Sequence, residues 1–169
     1  MIIRDATPAD AAQACQVLRD SIAQLCSADH RDDPAILARW LANKTPDNVA
    51  EWADGIGRSL LVVIEDEASA EAVLAVGGVR DSGEITLNYV APRARFRGVS
   101  SALLAALEGR ALQRGAATAM LLSTETAHRF YRARGYRDEG PSVGKFGTAA
   151  SYPMIKPLQA QERSKPSVR

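Results

Sequence analysis

Three arginines at alternate positions, followed by a glycine and a helix pattern, form the stretch of this sequence with the clearest chemical potential. Val90–Leu104 reads VAPRARFRGVSSALL, with Arg93, Arg95 and Arg97 ahead of Gly98. The start of a helix offers backbone N–H groups that lack partners inside the helix, together with the positive end of the helix dipole. Guanidinium groups bind phosphate oxygens through paired hydrogen bonds. The stretch therefore predicts a site for a phosphate-bearing ligand.

The two common nucleotide-binding loops are absent from this stretch. Ser100 and Ser101 follow Gly98, so there is no GxGxxG fingerprint, and the sequence contains no GxxxxGK[ST]. What remains is a glycine that lets a ligand approach the main chain, with two serine hydroxyls as further donors. Taken alone, these residues fit a solvated basic turn before an ordinary helix equally well.

Hydrophobic periodicity places the basic loop between a strand and a helix. The alternation over Glu84–Val90 predicts a strand whose polar face, Glu84, Thr86 and Asn88, lines a cleft or lies solvated at a sheet edge. Apolar residues recur every four positions through Val99–Arg114, which predicts a helix.

The remaining segments complete an α/β order. The patterns predict strands at 2–4, 60–65, 73–79, 119–122, after Tyr136 and near 150–155, and helix starts at Pro8, Pro34, Thr45 and Thr124. Strands and helices that alternate in this way predict an α/β fold with a mixed sheet.

Composition is that of one globular domain, predicted over residues 1–158, with a disordered polar tail at 159–169. Lys and Arg number 21 against 20 for Asp and Glu, so the net charge of +1 gives no argument for a nucleic-acid or membrane partner. The two cysteines have no metal-site spacing, so no metal is expected. Acidic residues stand near the N-terminus where a secretory leader needs an apolar run, which favours the cytoplasm.

A second motif changes the interpretation of the basic loop. Thr126–Tyr136 reads TAHRFYRARGY. Together with Val90–Leu104 it resembles the Gcn5-related N-acetyltransferase (GNAT) superfamily, which binds acetyl-CoA. The first family pattern, V-x-P-x-x-[QR]-x-x-G-x-[GA], is matched at Val90, Pro92, Arg95 and Gly98, and the second, A-x-x-F-Y-x-x-x-G-[FY], at Ala127, Phe130, Tyr131, Gly135 and Tyr136.

Three residues depart from the family pattern. Ser100 replaces a glycine or alanine, Phe96 stands where many members have a second glycine, and Thr124 stands where many have asparagine. The resemblance covers residues 60–136 well, whereas residues 1–59 match only in their layout.

The resemblance implies a mixed, mostly antiparallel sheet of six to seven strands flanked by about four helices, with two central strands splayed apart. The thioester of acetyl-CoA would lie between the strands at 84–90 and 119–123. The main chain of the first strand would bind the pantetheine arm, and Arg95–Ser101 would hold the pyrophosphate. The cofactor-binding residues implied are Asn88, Tyr89, Val90, Arg95, Phe96, Arg97, Gly98, Val99, Ser100, Ser101 and Thr124.

Tyr131 and Glu84 are the candidate catalytic residues. A phenol with an ordinary pKa of about 10 stays neutral and protonates the departing thiolate, which is the role assigned to Tyr131. Glu84 lies eleven residues before Arg95, the offset at which some family members carry a glutamate base. It lies about 13 Å along the strand from Asn88, so it would act through water. Tyr131 also fits a core aromatic, and Glu84 a solvated strand start with water alone as the base.

The predicted function is acetyl transfer from acetyl-CoA to a primary amine, on a small molecule or a peptide. The alternative is a catalytically silent acyl-CoA-binding regulatory module of the same fold. A homodimer is also considered.

Acceptor specificity is expected from residues 25–52 and 141–152. Within the first segment, Asp29, Asp32 and Asp33 are candidates for an acidic pocket, and His30 for a substrate contact. His128 is expected to be exposed.

Overall fold

The computed structural model describes residues 1–66, 68–69, 72–148 and 150–159, so all but the first residue of the predicted tail lies outside the described residues. The strands in this part of the chain are β1 (Ile2–Asp5), β2 (Arg58–Ile64), β3 (Val73–Arg80), β4 (Ile85–Val90), β5 (Thr118–Thr124), β6 (Arg137–Asp138) and β7 (Ser151–Pro157). The α-helices are α1 (Ala11–Leu25), α2 (Ser27–His30), α3 (Pro34–Leu41), α4 (Pro46–Ala53), α5 (Val99–Gln113) and α6 (His128–Arg132).

Two antiparallel sheets meet at one point and then separate. The first has the order β1-β2-β3-β4 and the second the order β5-β7-β6. The parallel strands β4 and β5 are joined by an isolated bridge between Glu84 and Met120, at the start of β4. Beyond it the strands belong to different sheets and diverge toward their carboxyl ends. The predicted mixed, mostly antiparallel sheet with splayed central strands is thus confirmed.

Gly83 is the residue that lets the two sheets meet. Its φ is +93°, and a Cβ at this position would lie 2.1 Å from the carbonyl oxygen of Thr118. The carbonyl of Gly83 in turn accepts a hydrogen bond from the N–H of Met120 at 3.0 Å. Any side chain at position 83 would push the start of β5 away from β4.

The main core lies between the first sheet and helices α1 and α5. All of β2 except Arg58 is buried, as its continuous apolar run predicts. Helix α5 packs directly on β3, since a Cβ at Gly77 would lie 2.8 Å from Leu107. Cys15 and Cys26 are buried free thiols on and just after α1.

The N-terminal half departs from the predicted elements in two places. Pro8–Asp10 forms a 3-10 turn, and α1 begins only at Ala11, because the Asp10 carboxylate accepts the Thr7 N–H at 2.8 Å and pairs with Arg4. The segment expected to be a turn after α1 contains the four-residue helix α2. Helix α4, by contrast, begins directly after the predicted start at Thr45, whose side chain accepts the Asn48 N–H.

Candidate functional site

A cavity of about 440 Å³ lies where β4 and β5 diverge, and we call it the loop-side cavity. The end of α1, the end of β4, the loop before α5 and helix α6 surround it. Nearly all the predicted cofactor-binding residues line it: Asn88, Tyr89, Val90, Arg95, Phe96, Gly98, Val99, Ser100, Ser101 and Thr124. Tyr131 lines the same cavity, whereas Arg97 and Glu84 do not.

The loop before α5 exposes its main chain to this cavity. Phe96 and Gly98 have φ values of +63° and +76°, and Gly98 immediately precedes the first residue of α5. A Cβ at Gly98 would meet no atom within 4 Å, so glycine is not required here for lack of space. It is favoured because it adopts a positive φ without strain, and it leaves the space beside the main chain open. The left-handed conformation of Phe96 explains why glycine suits this position in related sequences. The result is a set of free N–H groups at a helix start, as an anion requires.

The three arginines of the loop have different roles. Arg95 lines the cavity and its guanidinium lies 4.5 Å from the centre of the Phe96 ring. Arg93 donates a hydrogen bond of 3.0 Å to the carbonyl of Val73 in β3. Arg97 points elsewhere and forms a 3.0 Å ion pair with Glu65 after β2.

Arg134, just after α6, is a cavity residue that the sequence interpretation missed. Its guanidinium donates to the Ser101 hydroxyl and, at 3.0 Å, to the Phe130 carbonyl, and it stacks 3.7 Å from the centre of the Phe130 ring. It thus lies beside the first turn of α5. Its spacing of four residues from Phe130 within the second motif was the available signal.

The side chains of Tyr131 and Asn88 form a contact within the loop-side cavity that joins α6 to β4. The Asn88 Nδ2 donates to the Tyr131 hydroxyl oxygen at 3.2 Å. The phenol therefore uses an acceptor position and keeps its own proton available. The Asn88 Oδ1 is buried and has no hydrogen-bond partner in the described part of the chain, so it is an acceptor that a ligand N–H would satisfy.

Burial controls the protonation of Tyr131. Removal of the phenol from water raises its pKa to about 12, against a smaller lowering by the hydrogen bond from Asn88. The side chain is 7% exposed. Tyr131 is therefore protonated throughout the physiological range and is suited to donate a proton.

Thr124 ends β5 between the loop-side cavity and the next helix. Its hydroxyl accepts the N–H of Ala127 at 3.1 Å, immediately before α6. Thr124 therefore stabilises the start of α6, as the sequence predicts. It also lines the loop-side cavity, so its contact with the cofactor stays a prediction.

A second cavity of about 340 Å³ lies on the other side of Tyr89 and Thr124, which line both cavities. We call it the sheet-side cavity. Residues from α3, β2, β3, β4 and the segment before β7 line it. Glu84 and Thr86 line it as well, so each residue of the predicted polar strand face borders a cavity. The Glu84 carboxylate forms a half-exposed ion pair with Arg80 at 3.1 Å.

The residues proposed for an acidic pocket have structural roles instead. The Asp29 carboxylate is fully buried and accepts the Glu125 N–H at 2.7 Å, which ties α2 to the end of β5. Asp33 caps α3 by accepting the Ala35 N–H at 2.8 Å. Asp32 is exposed and borders neither cavity. The sequence does not show these partners, because they depend on the folded chain.

The two histidines also differ from expectation. His30 is 1% exposed, and its ring nitrogens bond to main-chain atoms of Ile22, Ala23 and Asp32, so its ring is committed to the fold. His128 is only 15% exposed in its side chain, because it stacks on Tyr152 and bonds to Asp138 at 2.6 Å. The expectation that it is exposed is wrong.

The family model of the acetyltransferase (GNAT) domain matches residues 28–157, which is most of the chain. The chain belongs to the GNAT family of N-acetyltransferases. The predicted family and enzyme class are thereby confirmed. A search among proteins of curated function gives no significant match.

Solved GNAT structures share the fold across nearly the whole chain. A Gcn5-related N-acetyltransferase from Rhodopseudomonas palustris is 25% identical, with a TM-score of 0.78 over 93% of this chain and 95% of that one. The PaiA N-acetyltransferase from Thermoplasma acidophilum, solved with coenzyme A, is 14% identical, with a TM-score of 0.75 over 92% and 98%. A ribosomal-protein-alanine N-acetyltransferase from Brucella melitensis is 21% identical, with a TM-score of 0.67 over 94% and 100%.

GNAT enzymes use acetyl-CoA, and the loop-side cavity fits this cosubstrate. The open main chain at Gly98 and the nearby Arg95 and Arg134 suit a diphosphate. The unpartnered Oδ1 of Asn88 suits the amide groups of a pantetheine arm. Among the described residues, no cluster of three or more His, Cys, Asp or Glu side chains is arranged to hold a metal ion. No helix in the described ranges is long and apolar enough to span a membrane.

Proposed function

We propose that this GNAT protein transfers the acetyl group of acetyl-CoA to a primary amine by direct attack of the amine on the thioester. The observation that carries this proposal is the buried phenol of Tyr131 beside Asn88 in the loop-side cavity, whose oxygen is held by Asn88 and whose proton has no acceptor among the described residues. A module that only bound acyl-CoA would have no need of a proton donor there.

In the proposed complex, the loop-side cavity holds the cosubstrate. The main chain of Asn88, Tyr89 and Val90 binds the pantetheine arm, and the N–H groups of Gly98–Ser101 bind the pyrophosphate. Arg95 and Arg134 supply positive charge beside this helix start, and Phe96 and Thr124 line the same cavity. Arg97 does not line it and remains a proposed contact through the loop alone. The arm then leads from the start of α5 toward Tyr131.

Acetyl-CoA supplies an activated acyl carbon: the C–N bond to the amine forms, the C–S bond breaks, one proton leaves the nitrogen and one reaches the sulfur. Tyr131 is protonated at neutral pH and donates the proton to the sulfur as the C–S bond breaks. The hydrogen bond from Asn88 fixes the position of its oxygen.

Glu84 is the proposed base for the amine proton. It lines the sheet-side cavity, from which an amine would approach, but it lies a strand length from Asn88 and is paired with Arg80. It therefore acts through intervening water. A Glu84→Gln variant separates this role from direct proton loss to solvent: a lower kcat at neutral pH that recovers at higher pH supports the role, and an unchanged kcat removes it.

The proposal is tested by calorimetry with CoA and acetyl-CoA, followed by thiol release across a panel of primary amines. Binding together with amine-dependent thiol release is the expected result. Binding without thiol release from any amine favours the regulatory module instead. The absence of CoA binding would overturn the proposal altogether. Light scattering in the same buffer tests whether the protein forms a homodimer.

A further inference from the structure

The sheet-side cavity carries an excess of positive charge. Four of its five charged lining side chains are cations, Lys44, Arg58, Arg80 and Lys145. The carboxylate among them, Glu84, is paired with Arg80 at 3.1 Å. A polycationic acceptor would meet repulsion in this cavity, whereas an anionic group would be attracted.

Lys44 is buried without a counter-ion. It is 5% exposed, and its Nζ donates to the Asn43 Oδ1 at 2.7 Å and to the Trp40 carbonyl at 3.4 Å. No ion pair to Lys44 occurs among the described residues. An ammonium group has three N–H donors, so one remains for a ligand. A buried charge that lacks a counter-ion is costly for the fold, which is understandable where a ligand brings the opposite charge.

Lys145 approaches the same place from the segment before β7. Its Nζ lies 5.4 Å from the centre of the Phe146 ring, and the Nζ of Lys44 lies 5.6 Å from the same point, so the two ammonium groups are within about 11 Å of each other. Arg39 holds this segment by donating to the Phe146 carbonyl at 3.2 Å. Burial and the charge of Lys145 lower the pKa of Lys44 to about 8. An oxyanion that pairs with these ammonium groups would relieve their repulsion.

The remaining lining of the sheet-side cavity indicates which kind of ligand body it would accept. Apolar and aromatic side chains, including Trp52, Leu122 and Phe146, line much of it. Tyr89 and Thr124 of its lining also border the loop-side cavity. An acceptor in the sheet-side cavity would therefore present its amine toward these two residues and its charge toward the lysines.

We propose that the acceptor is an amine with an apolar body that carries an oxyanion, a carboxylate or a phosphate, bound by Lys44 and Lys145. This inference rests on the proposed function for the transfer step, whereas the oxyanion site itself is independent of turnover. The acidic pocket for which Asp29, Asp32 and Asp33 were candidates would instead favour an acceptor of the opposite charge.

The test uses matched amines that differ in the oxyanion. Phenylalanine and 2-phenylethylamine form the carboxylate pair, and O-phosphotyramine and tyramine form the phosphate pair, so every member carries an aromatic body. Calorimetry on the CoA-saturated protein gives each dissociation constant, and thiol release gives kcat/KM with acetyl-CoA. We expect at least tenfold tighter binding of the oxyanion-bearing member in one pair, and which pair responds identifies the anion.

Variants then locate the site. Lys145→Glu, at an exposed position, and Lys44→Met should each reduce the preference at least fivefold, while Lys145→Arg retains it. Arg129→Gln on α6 removes one positive charge outside both cavities and should leave the preference unchanged. CoA affinity should be the same in all four variants.

Three results would overturn the inference: equal dissociation constants within both pairs, failure of all four amines to bind, or a preference that survives both Lys145→Glu and Lys44→Met. A retained binding preference without any thiol release would contradict the proposed transfer but not the oxyanion site. The two proposals therefore fail in different ways.

Discussion

At the scale of single residues, the phenol of Tyr131 is the group on which the proposed chemistry depends. Tyr131→Phe keeps the ring contacts with Phe130 and Tyr136 but removes the proton. We expect kcat to fall about 10²- to 10⁴-fold, the usual contribution of a general acid, with CoA affinity unchanged. Tyr152→Phe is the control, because its hydroxyl bonds to Glu125 and lies outside both cavities. Steady-state kinetics and calorimetry measure both quantities, and an unaltered kcat in Tyr131→Phe would remove this residue from the mechanism.

The burial of Lys44 has a consequence for stability that can be measured without any ligand. Its pKa falls from 10.5 to about 8 in the folded protein, a difference of about 3 kcal/mol against the charged form. Since the unfolded chain holds this proton more tightly, the full penalty applies below pH 8 and disappears as the pH rises to about 10.5. The charges near the ammonium group are Lys145 in the cavity wall and, at the Lys44 carbonyl, Arg19.

We therefore predict that Lys44→Met raises the free energy of unfolding by about 1–3 kcal/mol at pH 7, and by much less at pH 10.5. Urea denaturation at the two pH values measures this. A variant that loses stability at pH 7 would show that the lysine stabilises the fold, and the argument from an uncompensated charge would then fail.

At the scale of elements, Arg134 joins the end of α6 to the first turn of α5 through Ser101. Because this guanidinium lies at the proposed pyrophosphate position, Arg134→Gln should raise the dissociation constant of CoA about 10- to 100-fold, as expected for lost charge-assisted hydrogen bonds. Arg129→Gln, at an exposed position in α6, provides the control. Calorimetry with CoA distinguishes the two, and equal affinities would place the phosphates elsewhere. The Arg97→Gln variant, measured in the same series, tests whether the loop arginine that pairs with Glu65 contributes to CoA affinity.

The contact between β4 and β5 depends on Gly83. Both Gly83 and Gly115 have a positive φ, +93° and +91°, but a Cβ clashes with the Thr118 carbonyl at Gly83 and meets nothing within 4 Å at Gly115. Alanine at either site introduces backbone strain of about 1–2 kcal/mol. Gly83→Ala should cost a further 1–3 kcal/mol, roughly the cost of overpacking, and should also reduce transfer because the splay begins there. Thermal or chemical unfolding of the pair measures the difference, and equal losses would contradict the close approach.

At the scale of the whole molecule, the sequence predicted the features that depend on neighbouring residues, namely the strands, helices and motifs. Asn88 on the polar face of β4, the helix start at Val99 and the motif around Tyr131 each lie within a short segment, and the structure brings these three to one cavity. The family patterns then indicated that Val90–Leu104 and Thr126–Tyr136 belong to one site, which hydrophobic periodicity alone does not show.

The contacts that sequence reasoning missed span long separations. Asp29 bonds to Thr126 across 97 residues, Arg97 pairs with Glu65 across 32, and Lys44 meets the ring of Phe146. A charged residue has the same local signature whether it binds a ligand or holds a distant loop. The acidic residues at 29–33 were therefore candidates for a pocket, although the carboxylates of Asp29 and Asp33 accept main-chain N–H groups of the folded chain.

The central claim is that this GNAT protein moves an acetyl group onto an amine, and mass spectrometry tests it most directly. The protein is incubated with acetyl-CoA labelled in the acetyl group and the amine panel, and the products are compared with those of Tyr131→Phe. We predict an amine that gains one labelled acetyl group with the native protein and far less with the variant. Thiol release that yields only labelled acetate, or CoA binding with no labelled product from any amine, would contradict the claim.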